Sequence, residues 1–449
     1  MKTDALPPHP NSLRMATPLA RIAALADPGS VRRLPPAGAS RHLARYGIVP
    51  HDDDGVVTAH VRLQGTPMLI AAQDERFLSG SVGEQHGRAL HGLVDEVQRS
   101  DAEAIVLLLA SGGVRLHEAN AAELALARTL AAFLNARVAG VPVIAVAVGG
   151  VFGGTSVLAC AADRLAMLPG TRIGLSGPKV LESVHGKWEL DADDGRDIDA
   201  VFGSAARSGI GYVDLVVDDA DAIRAWICQA AREREDFAAS VAALHARLRA
   251  RIAGETAHAP PFEALACFDG AAPVDNAGRL WLRDECWLTR PNPGATLGPV
   301  DLHAQDDALL THLVPRRAGT PGVVLLVEDS AGHAVSRAAE MRFESQFLAH
   351  HAAVLALLRA RGYRLIGLLA GTGHSAAFFS NALQAQALYA LRDARIVAME
   401  PAAMARVTGL VAGARIDDDP LVGQPARHLQ AQGGIVAVVP DASLASLGL

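Results

Sequence analysis

The chain has 449 residues, half of them apolar, and a formal net charge of −7 at pH 7. This length and apolar content supply two domain-sized cores, which excludes a single small binding module. Acidic and basic residues are interspersed, and the apolar runs fall short of the ~20 residues that span a bilayer, so we expect neither nucleic acid nor a membrane as a partner.

The sequence also indicates the cellular compartment and the redox state of the cysteines. The N-terminus contains an early Asp and several prolines where a secretory signal would have an apolar core. The cysteines are far apart in the sequence with no CxxC pair, which disfavours a zinc ribbon or a disulfide framework. We therefore expect a soluble, cytoplasmic protein with reduced and mostly buried thiols.

The elements in chain order predict an arm followed by two folded units. A Pro- and Arg-rich start contains a helix predicted over Ser12–Leu25. Alternating apolar residues at 56–63 and 66–73 predict two strands, and a long helix is predicted over Ala220–Ile252. A Pro- and Gly-rich stretch follows, as in connectors. The predicted arm, first unit, connector and second unit occupy residues 1–50, 51–255, 256–320 and 321–449.

The two halves repeat the same order of elements. In the first half a strand ends in Ser111–Gly113, a helix and a second strand follow, and Gly153–Gly154 opens the next helix. The second half repeats this order with Ser330–Gly332 and Gly373–Ser375. The spacing from residue 112 to residue 153 is 41, and from 332 to 375 it is 43. We predict two βαβα units of one architecture, with Gly154 and Ser375 each at a helix start.

The small-residue loops have a specific chemical use. They follow neighbouring parallel strands, where open α/β sheets bind ligands, and glycine lets the backbone approach a ligand closely. One N–H near Gly113 and one near Gly154, at the positive end of a helix dipole, would form an oxyanion hole. Tight turns without function are the competing interpretation. Neither loop matches the nucleotide-binding patterns GxGxxG or GxxxxGK[ST].

Several longer motifs carry a family resemblance. The first half resembles the beta subunit of biotin-independent malonate decarboxylase, through RYGIVPHDDDGVV, RFLSGSVGEQHG, SGGVRLHEANAAELALA, FGGTSVLACAADRLAM and RIGLSGPKVLESVHG. The second half resembles the gamma subunit, through LLVEDSAGHAVSRAAE, RGYRLIGLLAGTGHSAAF and EPAAMARVT. The likeness covers roughly residues 12–240 and 320–410, so the chain is similar to both subunits fused in one polypeptide.

The resemblance implies a fold, an activity and partners. The fold would be α/β, with two tandem crotonase-like β/α spiral domains of the ClpP/crotonase, carboxyltransferase type. The activity would convert malonyl-S-acyl carrier protein into acetyl-S-acyl carrier protein and CO₂. An acyl carrier protein subunit would supply the thioester on a dephospho-CoA-type arm, or CoA would, and an acyl-carrier transferase subunit would be a further partner. The chain itself would hold no biotin, other cofactor or metal, and homo-oligomerisation stays open.

The resemblance also assigns site residues. The loop of Gly112 and Gly113 and that of Gly153 and Gly154 would hold the thioester oxygen, and the second-unit loops would face them and hold the carboxylate. The full set of predicted catalytic residues is Gly112, Gly113, Gly153, Gly154, Gly332, His374, Ser375 and Ala376. The predicted substrate-binding residues are Val114, Arg115, Thr155, Ser176 and Gly177.

Several side chains admit two interpretations. His374 is a candidate proton donor, or a packing histidine at a helix start. Arg115 steers the phosphates of the carrier or forms an ion pair with Glu118, which itself is an acid or a helix-terminal charge. Ser111 has no His and Asp partners in motif order, which disfavours a covalent nucleophile.

One loop departs from the family, and rival functions stay open. His374-Ser375-Ala376-Ala377 stands where the family has a Ser-Gly-Gly pattern, and alanine there would be strained at positive φ. The rivals are a biotin-dependent acyl-CoA carboxyltransferase subunit, a non-catalytic scaffold of the complex, and a crotonase-type hydratase or isomerase. The missing zinc ribbon and the SGGVRLHEAN context disfavour the first, and the two joined units disfavour the last.

Overall fold

A computed structural model describes residues 12–257, 265–290, 293–316, 322–399, 404 and 419–449. The EPAAMARVT motif at 400–408 lies outside the described residues except for Met404. Within the described part of the chain, no helix is long and apolar enough to cross a membrane. All four cysteines are buried and unpaired, as predicted.

The first sheet is parallel at its centre and antiparallel at one edge. Its order is β1-β2-β3-β4-β5-β6-β8, with β7 paired to the end of β5. The β2–β3 hairpin turns on Gln64 and Gly65, both at positive φ, as a two-residue hairpin loop requires. The strands are β1 (Arg32–Arg33), β2 (Val56–Leu63), β3 (Thr66–Gln73), β4 (Ile105–Ser111), β5 (Val143–Val151), β6 (Arg164–Met167), β7 (Arg172–Ile173) and β8 (Asp214–Leu215).

The helices of the first unit cover both faces of this sheet, and two of them differ from prediction. The predicted helix Ser12–Leu25 begins only at Pro18, because Thr17 caps it and Pro18 takes the first helical position. The predicted helix Ala220–Ile252 is two helices, because Asp236 caps a new helix at the Ala239 N–H. The helices are α1 (Pro18–Leu25), α2 (Glu84–Val97), α3 (Ala119–Val138), α4 (Gly154–Cys160), α5 (Pro178–His185), α6 (Gly195–Phe202), α7 (Ser204–Gly209), α8 (Ala220–Arg232) and α9 (Phe237–Arg251).

The second sheet repeats this plan and extends into the predicted connector. Its order is β17-β15-β13-β12-β11-β10-β9, parallel from β11 to β17, and β14 and β16 form a separate parallel pair. Residues 272–289 of the predicted connector form three of its strands, because their apolar side chains pack into the second-unit core. The strands are β9 (Ala272–Pro273), β10 (Leu280–Arg283), β11 (Cys286–Thr289), β12 (Val323–Glu328), β13 (Arg364–Leu369), β14 (Thr372–His374), β15 (Ala387–Leu391), β16 (Arg395–Val397) and β17 (Ala437–Val439).

The helix predicted between the two second-unit loops is also divided. Phe343 has φ of +58°, which ends one helix and starts the next. A further helix lies in the predicted connector, so that segment is folded with the second unit. The helices are α10 (Pro299–His312), α11 (Arg337–Met341), α12 (Glu344–Ala360), α13 (Ser375–Ser380) and α14 (Arg427–Ala431).

The two units share one core. Helix α12 is buried along fifteen consecutive residues, from Glu344 to Leu358, which places it inside the protein. Its Ser345 hydroxyl lies 2.7 Å from that of Ser156 on α4, and its His350 Nε2 lies 3.1 Å from His245 Nδ1 on α9. The second unit is therefore packed directly against the helices that follow the first-unit loops. We call this contact region the seam.

Candidate functional site

The two first-unit loops touch each other through their backbones. A Cβ added to Gly113 would lie 3.0 Å from the Cα of Gly153, and Gly113 itself has φ of +100°. A register shift between Leu109 and Ser111 turns the end of β4 toward this contact. Gly154 starts α4, as predicted. Glycine was predicted to let the backbone approach a ligand closely. In the structure it also lets the two loops approach each other.

The hydrogen bonds show which N–H groups remain available to a ligand, and these differ from the predicted set. The N–H groups of Gly112, Gly113 and Gly153 donate to Ser79 O at 2.8 Å, Ser111 Oγ at 3.1 Å and Leu175 O at 2.9 Å, respectively. Three of the four predicted donors are thus already bonded. The neighbouring N–H groups of Val114 and Gly154 have no acceptor among the described residues, so these two are the donors available to an oxyanion.

Thr155 lies behind the loops. It was predicted to bind substrate, yet it is fully buried, and its hydroxyl lies 3.0 Å from the hydroxyl of Ser111. Ser111 in turn accepts the N–H of Gly113. Thr155 therefore supports the loop through Ser111 and has no surface to offer a substrate.

Arg115 is a structural residue. Its side chain is completely buried, and its Nη1 lies 2.6 Å from Asp54 Oδ1 and 3.1 Å from Glu118 Oε1. Burial raises the pKa of Asp54, and the Arg115 charge opposes that shift. Glu118 accepts the N–H of Glu84, so it caps α2 and not its own helix. The predicted contact of Arg115 with phosphates is therefore wrong, because a buried ion pair holds it.

The second unit repeats these bonds atom for atom. Gly332, at φ of +95°, donates its N–H to Ser330 Oγ at 3.4 Å, as Gly113 does to Ser111. The N–H of Leu297 bonds Gly332 O at 2.7 Å, as that of Val82 bonds Gly113 O. The predicted duplication therefore extends to the hydrogen bonds of the loops. His333 is consequently the second-unit equivalent of Val114.

The departure from the Ser-Gly-Gly pattern places strain on Ser375. Ser375 starts α13, as predicted, and has φ of +51°, which serine rarely adopts, whereas Ala376 follows in the buried first turn without positive φ. Gly153 has φ of +58° at the corresponding turn. The His374 ring packs on Gly332, at 3.1 Å from an added Cβ.

Relieving this strain is expected to stabilise the fold. We expect Ser375→Gly to raise the free energy of unfolding by up to about 1 kcal/mol, because glycine adopts positive φ without the Cβ clash. Ser375→Ala keeps the clash and is the control. Urea denaturation measures both variants. A glycine variant no more stable than the alanine variant would contradict the strain.

A clamp from the second unit holds the first-unit loop. Glu340 Oε1 accepts the N–H groups of Leu175 at 3.0 Å and Ser176 at 2.6 Å, and Leu175 O is the group that accepts Gly153 N–H. Arg207 anchors this carboxylate at 3.2 Å. Burial raises the pKa of Glu340, and the Arg207 guanidinium opposes that rise. No local sequence pattern indicates this clamp, because Glu340 lies 165 residues from Leu175 and 133 residues from Arg207 in the chain.

Ser176 and Gly177 lie at the same seam. The Ser176 hydroxyl is 3.0 Å from His333 Nε2, so the segment that follows β7 touches the second-unit loop. Burial and the nearby His374 lower the pKa of His333 to about 4, which keeps its ring neutral. Gly177 caps α5, and an added Cβ there would meet nothing within 4 Å. The seam therefore brings first-unit and second-unit loops together within one chain.

A cationic groove of about 670 Å³ lies between α2 and α3. Its volume is within the range of small-molecule sites. Glu84 is the one carboxylate among its described lining residues, and it contacts His42 at 3.1 Å, Arg88 at 3.2 Å and Arg41 at 3.6 Å, while Asp419 pairs with Arg45. The guanidinium groups that line the groove belong to Arg41, Arg45, Arg88 and Arg128.

Metal ligands converge at one place in the described ranges. Glu182, Asp191 and Asp193 each bring an oxygen to a common point on the surface of the first unit. Lys187 already pairs with both aspartates, at 3.1 and 2.7 Å. The Lys187 ammonium group therefore already pairs with two of these three carboxylates.

Family models match both halves of the chain. The model described as "Carboxyl transferase domain" matches residues 15–231, and that described as "Malonate decarboxylase gamma subunit" matches residues 305–414. A solved Pseudomonas malonate decarboxylase hetero-tetramer in complex with malonate is 33% identical, with a TM-score of 0.50. The match covers 56% of this chain and 94% of the matched chain of that complex. The chain belongs to the malonate decarboxylase family.

Curated relatives match a smaller part of this chain. The malonyl-S-ACP:biotin-protein carboxyltransferase of Malonomonas rubra is 33% identical over 204 residues, 42% of this chain and 63% of that protein. The acetyl-coenzyme A carboxylase carboxyl transferase subunit beta of Synechococcus sp. (strain JA-3-3Ab) is 33% identical over 152 residues, 34% of this chain and 48% of that protein. The chain therefore spans about half to three fifths of these curated relatives. The malonate decarboxylase resemblance and the carboxyltransferase-type α/β fold predicted from the motifs are confirmed.

Proposed function

We propose that the chain decarboxylates a malonyl thioester, giving an acetyl thioester and CO₂. The observation that carries this proposal is the pair of N–H groups, of Val114 and Gly154, that two touching loops leave without an acceptor. Membership of the malonate decarboxylase family supports a malonyl group as the substrate. A solved relative was captured with malonate.

The chemistry of the reaction matches this pair of donors. When the bond to CO₂ breaks, its two electrons move onto the thioester oxygen as an enolate. Preorganised N–H donors stabilise the charge that develops there in the transition state. The Gly154 N–H also lies at the start of α4, whose aligned backbone dipoles favour negative charge at that end.

The second-unit loops are proposed to hold the substrate carboxylate. Gly332, His333 and His374 lie together at the seam, and Ser176 links them to the first-unit loop. His333 is neutral and only partly exposed, so the leaving carboxylate would lie in a poorly solvated space. Poor solvation destabilises a localised carboxylate relative to the dispersed charge of the transition state.

The cationic groove is proposed to hold the phosphates of the thioester arm. Four guanidinium groups line the groove, of which Arg41 and Arg88 share Glu84 and Arg45 pairs with Asp419, and guanidinium groups bind phosphate well. The arm would belong to an acyl carrier protein or to CoA, and a carrier protein and a transferase subunit would be the partners in a complex. The groove thus takes the role first predicted for Arg115. Biotin has no step in this mechanism, which needs no carboxyl acceptor.

Malonyl-CoA offered to the purified chain tests this function. We expect release of CO₂ and acetyl-CoA in equal amounts, unaffected by avidin or by a chelator, because the enolate is stabilised by backbone N–H groups alone. A chain that consumes malonyl-CoA only when a biotinylated protein is added would contradict the proposal. That result would favour the rival carboxyltransferase function, which is the activity named for the Malonomonas rubra relative.

A further inference from the structure

A buried carboxyl group on α3 has no part in the site described above. Glu123 is only 4% exposed, and among the described residues no hydrogen-bonding partner lies within reach of its carboxyl. Burying a carboxylate without partners is costly, so this group keeps its proton. Burial, followed by the charge of Glu328, raises the pKa of Glu123 to about 8.

A second buried carboxyl lies opposite, at the end of β12. Glu328 is 1% exposed and accepts hydrogen bonds of 2.7 Å from both Ser330 Oγ and Asn381 Nδ2. Burial raises the pKa of Glu328 to about 7, although these two bonds and nearby His351 oppose the rise, while Asp329 adds to it. Burial therefore raises the pKa of one carboxyl group in each unit toward neutrality, and the charge of Glu328 acts on Glu123.

Each carboxyl is linked to one set of loops. On α3, Glu123 is one turn before Leu126, and Leu126 is the side chain that an added Cβ on Gly154 would strike. On the other side, Glu328 bonds Ser330, which accepts the N–H of Gly332. Glu123 is therefore on the face of α3 that carries Leu126 against the start of α4, and Glu328 is joined to the second-unit loop.

A cavity at Glu328 has room for water. A cavity of about 30 Å³ adjoins Glu328, large enough for one or two water molecules. The polar groups that surround it can hold such water by hydrogen bonds. These groups include Arg279, Arg290, Asp301, Asp329, His351 and Asn381.

We propose that Glu123 is the acid that protonates carbon 2 of the enolate, with Glu328 returning the proton to it. The inference rests on the proposed decarboxylation. The O–H bond of Glu123 breaks, a C–H bond forms at carbon 2, and the electron pair of the enolate returns from oxygen to that carbon. Glu123 is left as a carboxylate and recovers a proton from Glu328 through intervening water, and Glu328 takes one from solvent. One proton is consumed for each CO₂ released.

Rates as a function of pH test this proposal. With malonyl-CoA we expect kcat of the parent to fall as pH rises through about 8, where Glu123 loses its proton. Glu123→Gln should lose at least ~10² in kcat, with KM little changed, and should lack that fall. Glu328→Gln removes the charge that raises the pKa of Glu123, so the fall in kcat of this variant should occur at lower pH. His374→Ala, at the donor first predicted, should retain the fall of the parent.

The outcomes separate this proposal from the function on which it rests. If the parent releases no CO₂, the decarboxylase function fails. If the parent releases CO₂ while Glu123→Gln keeps the parental kcat and pH profile, Glu123 is not the acid.

Stability gives a readout that is independent of activity. The pKa of Glu123 is higher in the folded chain than in the unfolded one, so the folded state binds the extra proton. This contribution is complete below the unfolded pKa, near 4.5, and is lost as pH rises toward about 8. The urea midpoint of the parent should therefore drop over that window relative to Glu123→Gln. If the urea midpoints of the parent and of Glu123→Gln change with pH in the same way, Glu123 is not a buried acid with a raised pKa.

Discussion

Gly154→Pro is expected to lower kcat by at least ~10²–10³ while leaving the chain folded. Proline lacks the N–H proposed to bind the enolate oxygen, and one lost donor in such a hole costs about this much. Gly154 is the first residue of α4, a position where proline is well tolerated because its N–H has no helical acceptor. CO₂ release from malonyl-CoA measures the effect.

Gly154→Ala is the matched control for this substitution. Its Cβ meets the same Leu126 methyl group as the proline Cβ, yet its N–H is intact. Leu126 can shift, so the alanine variant should lose far less rate than the proline variant. Equal rates in the two variants, with both folded, would show that the Gly154 N–H takes no part in the reaction.

Glu340→Ala is expected to impair both stability and rate. The substitution leaves Arg207 buried without its partner, and breaking a buried pair costs about 3–5 kcal/mol. It also frees the N–H groups of Leu175 and Ser176, so the segment that holds Gly153 loses its anchor. Urea denaturation and CO₂ release report the two effects separately.

The double variant Arg207→Met/Glu340→Leu separates positioning from stability. Replacing both members of a buried pair by apolar residues often restores stability. We expect the double variant to regain much of the unfolding free energy and to stay slow, because Leu175 and Ser176 still lack an acceptor. Recovery of the full parental rate would show that Glu340 contributes to stability alone.

The sequence predicted those features that local patterns determine. Uninterrupted apolar runs identified β4 and β5, and the glycines after them identified the start of α4. The matched spacings of the two halves identified the duplication, because each unit needs the same strand, helix and strand to bring its loops together. Family motifs then supplied the activity that the loops alone left open.

The remaining features depend on contacts that the sequence does not encode locally. Ser111 and Ser79 capture the N–H groups of Gly113 and Gly112, so the available donor moves by one residue to Val114. Whether Arg115 contacts phosphate or Asp54 depends on a turn 61 residues away in the chain. Glu123 left one visible signal, an acid within an otherwise apolar stretch of α3, but its partner Glu328 comes from the other unit.

A structure with a malonyl-CoA analogue whose carboxylate cannot leave tests the central claim most directly. The claim is that both units of one chain build a single site around the N–H groups of Val114 and Gly154. We expect the thioester oxygen at about 3 Å from both nitrogens, with the carboxylate beside Gly332 and His374. A thioester oxygen bound elsewhere, with both N–H groups turned to solvent, would contradict the claim.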